Sequence, residues 1–151
     1  MRDVVIWCLV LTFGAGIACT GCRSAGRTSF EPAAIRGVLD QQADAWNRGD
    51  IETFMDTYLR SPELTFSSGG QVSRGWERTL QNYRRRYPTR EAMGHLTFSD
   101  LEITELGQDA ALVLGKWALD RDEPVGGVFT LVLRREAGRW VIIHDHTSRT
   151  P

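Results

Sequence analysis

At 151 residues the chain fits one domain, since about 100 to 200 residues per domain is usual. A formal net charge of −1 gives no basic footprint for nucleic acid. With 42% hydrophobic residues and five tryptophans, it has the apolar material for a packed core, which excludes global disorder.

The amino terminus is set apart from that core. Val4 to Ala18 runs 15 residues without a charge. A spanning helix needs roughly 20 apolar residues, so the stretch suits the apolar region of a signal peptide. All three cysteines, Cys8, Cys19 and Cys22, lie in this leader. The order Ala18-Cys19-Thr20-Gly21-Cys22 resembles a bacterial lipobox. Cys22 follows two small or polar residues and is the better lipidation candidate; Cys19 after Ile17-Ala18 is the alternative. The expected organisation is a leader over 1–22, a polar tether over 23–30 and a domain over 31–149. The resemblance implies export, with the domain anchored to a bacterial membrane by lipid or released outside the cytoplasm. The exported domain would then carry no disulfide.

Ser29 and Pro32 suit a helix start. Ile35, Val38, Leu39, Gln42, Ala45 and Trp46 recur at helical spacing, which predicts an amphipathic helix over 31–47. Gly49 ends it and Asp50 caps a second helix reaching about Tyr58. Pro62 breaks the pattern before a short strand at Leu64–Ser67 and a turn at Ser68-Gly69-Gly70-Gln71. A third helix is predicted from Trp76 to about Tyr87, with Trp76, Leu80, Tyr83 and Tyr87 on one stripe. Its Arg84-Arg85-Arg86 run reads as a solvated end that complements the helix dipole, or as an anion site. Strands over 93–106, 110–121, 125–136 and 139–149 complete the chain. Helices followed by antiparallel strands predict an α+β fold.

The closing strand carries the densest chemistry. It begins apolar, Trp140-Val141-Ile142-Ile143, and ends His144-Asp145-His146-Thr147-Ser148. Strand alternation puts His144 and His146 on one face and Asp145 on the other. Such a strand leaves a core and enters a polar pocket. Asp145 turns inward only if a bulge or bend intervenes.

The order of these elements resembles the NTF2-like superfamily, within it the SnoaL-like and DUF4440 groups. The residues that carry the resemblance are Ala45-Trp46-Asn47-Arg48-Gly49-Asp50-Ile51-Glu52, Leu64-Thr65-Phe66, Gly75-Trp76-Glu77, Trp117, Gly127-Val128-Phe129-Thr130-Leu131 and the segment from Trp140 to Ser148. The resemblance implies a cone. Three amino-terminal helices pack on a strongly curved, mostly antiparallel sheet that encloses a pocket, and the domain pairs as a homodimer. The fold hosts both enzymes and non-enzymes, so function rests on the site. Aligned on Gly49-Asp50-Ile51-Glu52, the catalytic positions of ketosteroid isomerase fall at Gln42, at Ser67 or Ser68, and near Gly127 or Thr130. None of these supplies that enzyme's proton chemistry.

Candidate pocket residues are Trp46, Tyr58, Tyr83, Trp117 and Phe129. Candidate catalytic residues are His144, His146 and Asp145, because imidazole titrates near neutrality. A shared metal on the two histidines lacks a fixed third ligand, so no metal and no cofactor are assigned. Three functions follow: binding of a small, largely apolar molecule; a His-dependent cyclase, dehydratase or isomerase-type activity on such a molecule; or a structural, dimerising module with a filled pocket.

Overall fold

A computed structural model of the chain describes residues 30–150. The leader, the lipobox cysteines and nearly all of the tether lie outside those residues. Helix α1 spans Pro32–Asn47 and buries Ile35, Leu39, Gln42, Ala45 and Trp46. Pro32 sits in its first turn, where its missing N–H costs nothing. The preceding Glu31 makes no side-chain cap. Gly49, at φ 80°, closes α1 in a conformation that a side chain would strain. Helix α2, Ile51–Met55, is capped by Asp50, which accepts from the Thr53 amide. It stops three residues before Tyr58, short of the expected end. Tyr58 instead forms an isolated parallel bridge to Ile142.

Strands β1 (Thr65–Ser68) and β2 (Gln71–Arg74) form a hairpin across Gly69-Gly70, with α3 (Trp76–Arg86) folded back along β2. A short helix α4 (Arg90–Met93), not expected from the sequence, precedes β3 (His95–Gly107). Thr89 caps it by accepting from the Ala92 amide. Strands β4 (Ala110–Asp120), β5 (Val125–Glu136) and β6 (Arg139–Arg149) complete one sheet of order β2-β1-β6-β5-β4-β3. All pairs are antiparallel except β1 with β6.

The sheet curls because its long strands are interrupted. Strand β3 bulges between Ser99 and Glu102, with Asp100 at φ 52°. Opposite β5, strand β6 bulges at Ile143: Val132 pairs with His144 while the next residue, Leu133, pairs with Ile142. An extra residue sharpens local twist and re-aims the side chains that follow. The α1 end is pinned to the start of β3 by Asn47. Its amide donates to the Leu96 carbonyl at 3.0 Å and accepts from the Leu96 amide at 2.7 Å. Trp46 Nε1 adds a bond to the Met93 carbonyl at 3.1 Å. The Trp46-Asn47 pair singled out in the sequence therefore locks helix to sheet. This is the curved α+β cone with an internal pocket.

The candidate site, a cone cavity with a buried carboxyl

The cavity measures about 730 Å³ among the described residues, within the range of small-molecule sites. Its walls are aromatic. Trp46 meets Phe54 and Tyr87 at ring distances of 5.2 and 4.7 Å. Phe54 and Phe66 meet Tyr83 at 5.1 and 5.8 Å, and Phe98 meets Phe129 at 5.3 Å. Gly115 makes that last contact possible. A Cβ there would lie 2.6 Å from Phe129 Cζ and 2.8 Å from Leu101 Cδ2.

The five pocket candidates, Trp46, Tyr58, Tyr83, Trp117 and Phe129, all line this cavity. The catalytic candidates are placed differently from what uninterrupted alternation predicts. The bulge at Ile143 flips the phase of β6. Ile142 faces the core, and after the bulge Asp145, Thr147 and Arg149 continue that inward face. Their cross-strand partners on β5 are Leu131, Phe129 and Gly127. His144 and His146 take the outer face, paired with Val132 and Thr130. His144 is absent from the cavity wall. Its Nδ1 lies 2.6 Å from Thr65 Oγ1. Burial, then the neighbouring His146, lowers its pKa. His146 is exposed and touches the cavity only at the rim.

Asp145 is the buried group, 6% exposed. Its flanking partners, Phe66 on β1 and Leu131 on β5, are apolar. Desolvation by this surrounding pushes its carboxyl up to about 7, partly offset by a hydrogen bond from Tyr58. The Tyr58 hydroxyl donates to Asp145 Oδ2 at 2.8 Å. Tyr58 is held there by backbone. The Leu59 amide donates to the Ile142 carbonyl at 2.8 Å, and the Ile142 amide donates to the Thr57 carbonyl at 2.9 Å. Burial and then the Asp145 charge raise the Tyr58 and Tyr83 hydroxyls well above their usual range, so both stay protonated donors. Three polar atoms on the cavity wall are buried with no partner among the described residues: Asp145 Oδ1, Gln42 Nε2 and Trp117 Nε1.

Sequence reasoning named Asp145 among the catalytic candidates but rested the proton chemistry on imidazole, and it did not count Gln42 among the pocket residues. A buried glutamine on the apolar stripe of α1 was the available signal.

This geometry, an α+β cone around a mostly apolar cavity with a buried acid–tyrosine pair, defines an NTF2-like small-domain scaffold. The model of the SnoaL-like domain matches residues 35–151, and the chain belongs to that family. Among solved structures it is similar to an NTF-2 like protein of unknown function from Shewanella oneidensis. That pair shares 39% identity and a TM-score of 0.75, over 78% of this chain and 98% of the other. A protein of unknown function with a cystatin-like fold from Nostoc punctiforme aligns at 16% identity and a TM-score of 0.69, over 82% and 94% of the two chains. A ketosteroid isomerase-like protein from Erwinia carotovora aligns at 20% identity and a TM-score of 0.65, over 79% and 96%. At these lower identities the likeness concerns the fold alone. No curated protein matches the chain.

Proposed function

We propose that the domain binds a small, largely apolar molecule in its cone cavity, with Asp145 and Tyr58 as the polar end of the site. The observation that carries this reading is the set of three unpartnered polar atoms on one aromatic-walled cavity: Asp145 Oδ1, Gln42 Nε2 and Trp117 Nε1. Buried polar groups without partners are costly, and a ligand bearing an oxygen acceptor and a hydroxyl would satisfy all three. A carboxyl near 7 also exchanges protons readily at neutral pH. The proton role that sequence reading gave to His144 or His146 therefore passes to Asp145, positioned by Tyr58. Any cyclase, dehydratase or isomerase-type chemistry would run through that carboxyl.

The test is a titration of the full chain with Nile red, a neutral apolar dye. One dye should bind per protein with a blue-shifted emission. Thr147→Trp, which fills space on the inward face beside Asp145, should abolish binding and leave the far-ultraviolet dichroism unchanged. Binding that is indifferent to this substitution overturns the reading.

The proposal extends to place and assembly. The domain is exported and held at a membrane by lipid on Cys22, which Cys22→Ser would release as a loss of acyl mass from the mature protein. It pairs as a homodimer through the outer sheet face, where Leu114 and Val128 are 41% and 52% exposed.

A further inference from the structure

The arginine run on α3 does not behave as one solvated patch. Arg84 bonds Glu52, and Arg85 bonds the Asn82 side-chain oxygen. Arg86 does neither. It lines the cavity, passes 5.9 Å from the Tyr87 ring, and its charge is felt by the Tyr83 hydroxyl. A second arginine reaches the same cavity from the sheet. Arg149 follows Asp145 and Thr147 on the inward face of β6, and its cross-strand neighbour is Gly127, which has no side chain to cover it. Neither arginine has a carboxylate partner among the described residues.

Topology puts both at the mouth. Helix α3 turns back at Gly75 and runs antiparallel to β2, with Asn82 bonded to Ser73 at 3.2 Å. One turn further on, Arg86 lines the same cavity as the Gly69-Gly70 hairpin tip and, like Arg149, is exposed. The parallel β1–β6 pairing sets Ser68, beside that tip, against Thr147. Arg149 lies four residues beyond Asp145, a rise of roughly 13 Å at about 3.3 Å per residue. Asp145 is the sole acidic side chain on the wall among the described residues, it is buried where the two arginines are exposed, and burial keeps it mostly uncharged below pH 7.

Resting on the cavity-binding reading above, we infer that the ligand is an amphipathic anion. Its carboxylate is held at the mouth by Arg86 and Arg149, its hydrocarbon body lies among Phe54, Phe66 and Phe129, and its far end points toward Asp145. Guanidinium groups match carboxylate geometry and form charge-assisted hydrogen bonds with it. An amphipathic cation would meet two unneutralised positive charges at the entrance. A neutral ligand would gain nothing from either.

Three probes of one chain length test this by displacing Nile red from the full chain at pH 6, where Asp145 is mostly protonated, and at low salt: dodecanoate, dodecan-1-ol and dodecyltrimethylammonium. Dodecanoate should displace the dye at about five- to tenfold lower concentration than the alcohol, a difference expected for charge-assisted contacts at a partly exposed site. The quaternary ammonium should be weakest. Higher ionic strength should narrow the gap. Arg86→Gln with Arg149→Gln should bring acid and alcohol together without moving the thermal midpoint. Equal potency of acid and alcohol in the unaltered protein, or a preference that survives the double substitution, overturns the anion assignment while Nile red binding keeps the cavity reading intact. Failure of all three to displace bound dye also overturns it. Failure of Nile red itself to bind sinks the cavity reading instead.

Discussion

The Tyr58 hydroxyl and the Asp145 carboxyl, 87 residues apart in the chain, meet at 2.8 Å in the floor of the cone. Neither residue is placed by its own element. Tyr58 follows a helix that has already ended, and Asp145 faces inward only because β6 gains a residue at Ile143. The pair gives the molecule its most distinctive electrostatics and sets how it should respond to pH.

Asp145 binds its proton more tightly in the folded protein, where its pKa is about 7, than in the unfolded chain, where it is near 3.8. The folded state therefore holds the extra proton between those values, and stability falls as pH rises through that window. The full shift is on the order of 4 kcal/mol, each unit being worth about 1.4. Asp145→Asn should flatten the profile. Urea midpoints at pH 5 and pH 8 should differ less in the variant than in the parent, with the variant the more stable at pH 8.

Removing the Tyr58 hydroxyl takes away the bond that favours the charged carboxylate. In Tyr58→Phe the Asp145 pKa should climb above its present value, read from the carboxyl band in infrared spectra. The cost in stability should be larger at pH 8 than at pH 5. Roughly 1.5 to 3 kcal/mol is typical for a hydrogen bond to a charged group.

Gly115 is fixed by packing. A methyl there meets the ends of Phe129 and Leu101, so Gly115→Ala should cost about 1 to 3 kcal/mol through overpacking. Adding Phe129→Leu should recover part of that loss, and a double-mutant cycle by urea denaturation should show positive coupling.

His144 and His146 should be dispensable for the cavity. Single alanine substitutions should leave Nile red affinity within about twofold, well under the 1.4 kcal/mol that makes a tenfold change. Because the folded state lowers the His144 pKa, the stability linked to its neutral form is present above about pH 6.5 and is lost as pH falls through the lowered folded value. His144→Ala should reduce the acid sensitivity of the urea midpoint on that limb.

If the outer sheet face joins two copies, Leu114→Lys and Val128→Lys should each shift sedimentation to the monomer, because both place a charge on an exposed apolar spot of that face. Nile red binding, on the opposite face, should persist in both. An unchanged sedimentation coefficient would move the interface elsewhere.

Much of the fold was legible in residue order. Alternation and turn residues located the four long strands, and the helical stripe of Ile35, Leu39, Gln42 and Trp46 located α1 with the face it buries. The aromatic wall was legible too, since large rings on inward faces have few other places to go. The short helix α4 was not. Four residues carry too little periodicity to register against the polar sequence around them.

Local sequence thus determined the architecture, because hydrophobic periodicity reports which face of each element is buried, and that is enough to stack helices on a sheet. It could not decide which side of β6 faces the cavity. One bulged residue reverses every side chain that follows, and the bulge arises from pairing with a strand whose register is set elsewhere in the chain. Only the folded sheet put the carboxylate inside and the imidazoles outside, and turned two arginines from different elements toward one mouth.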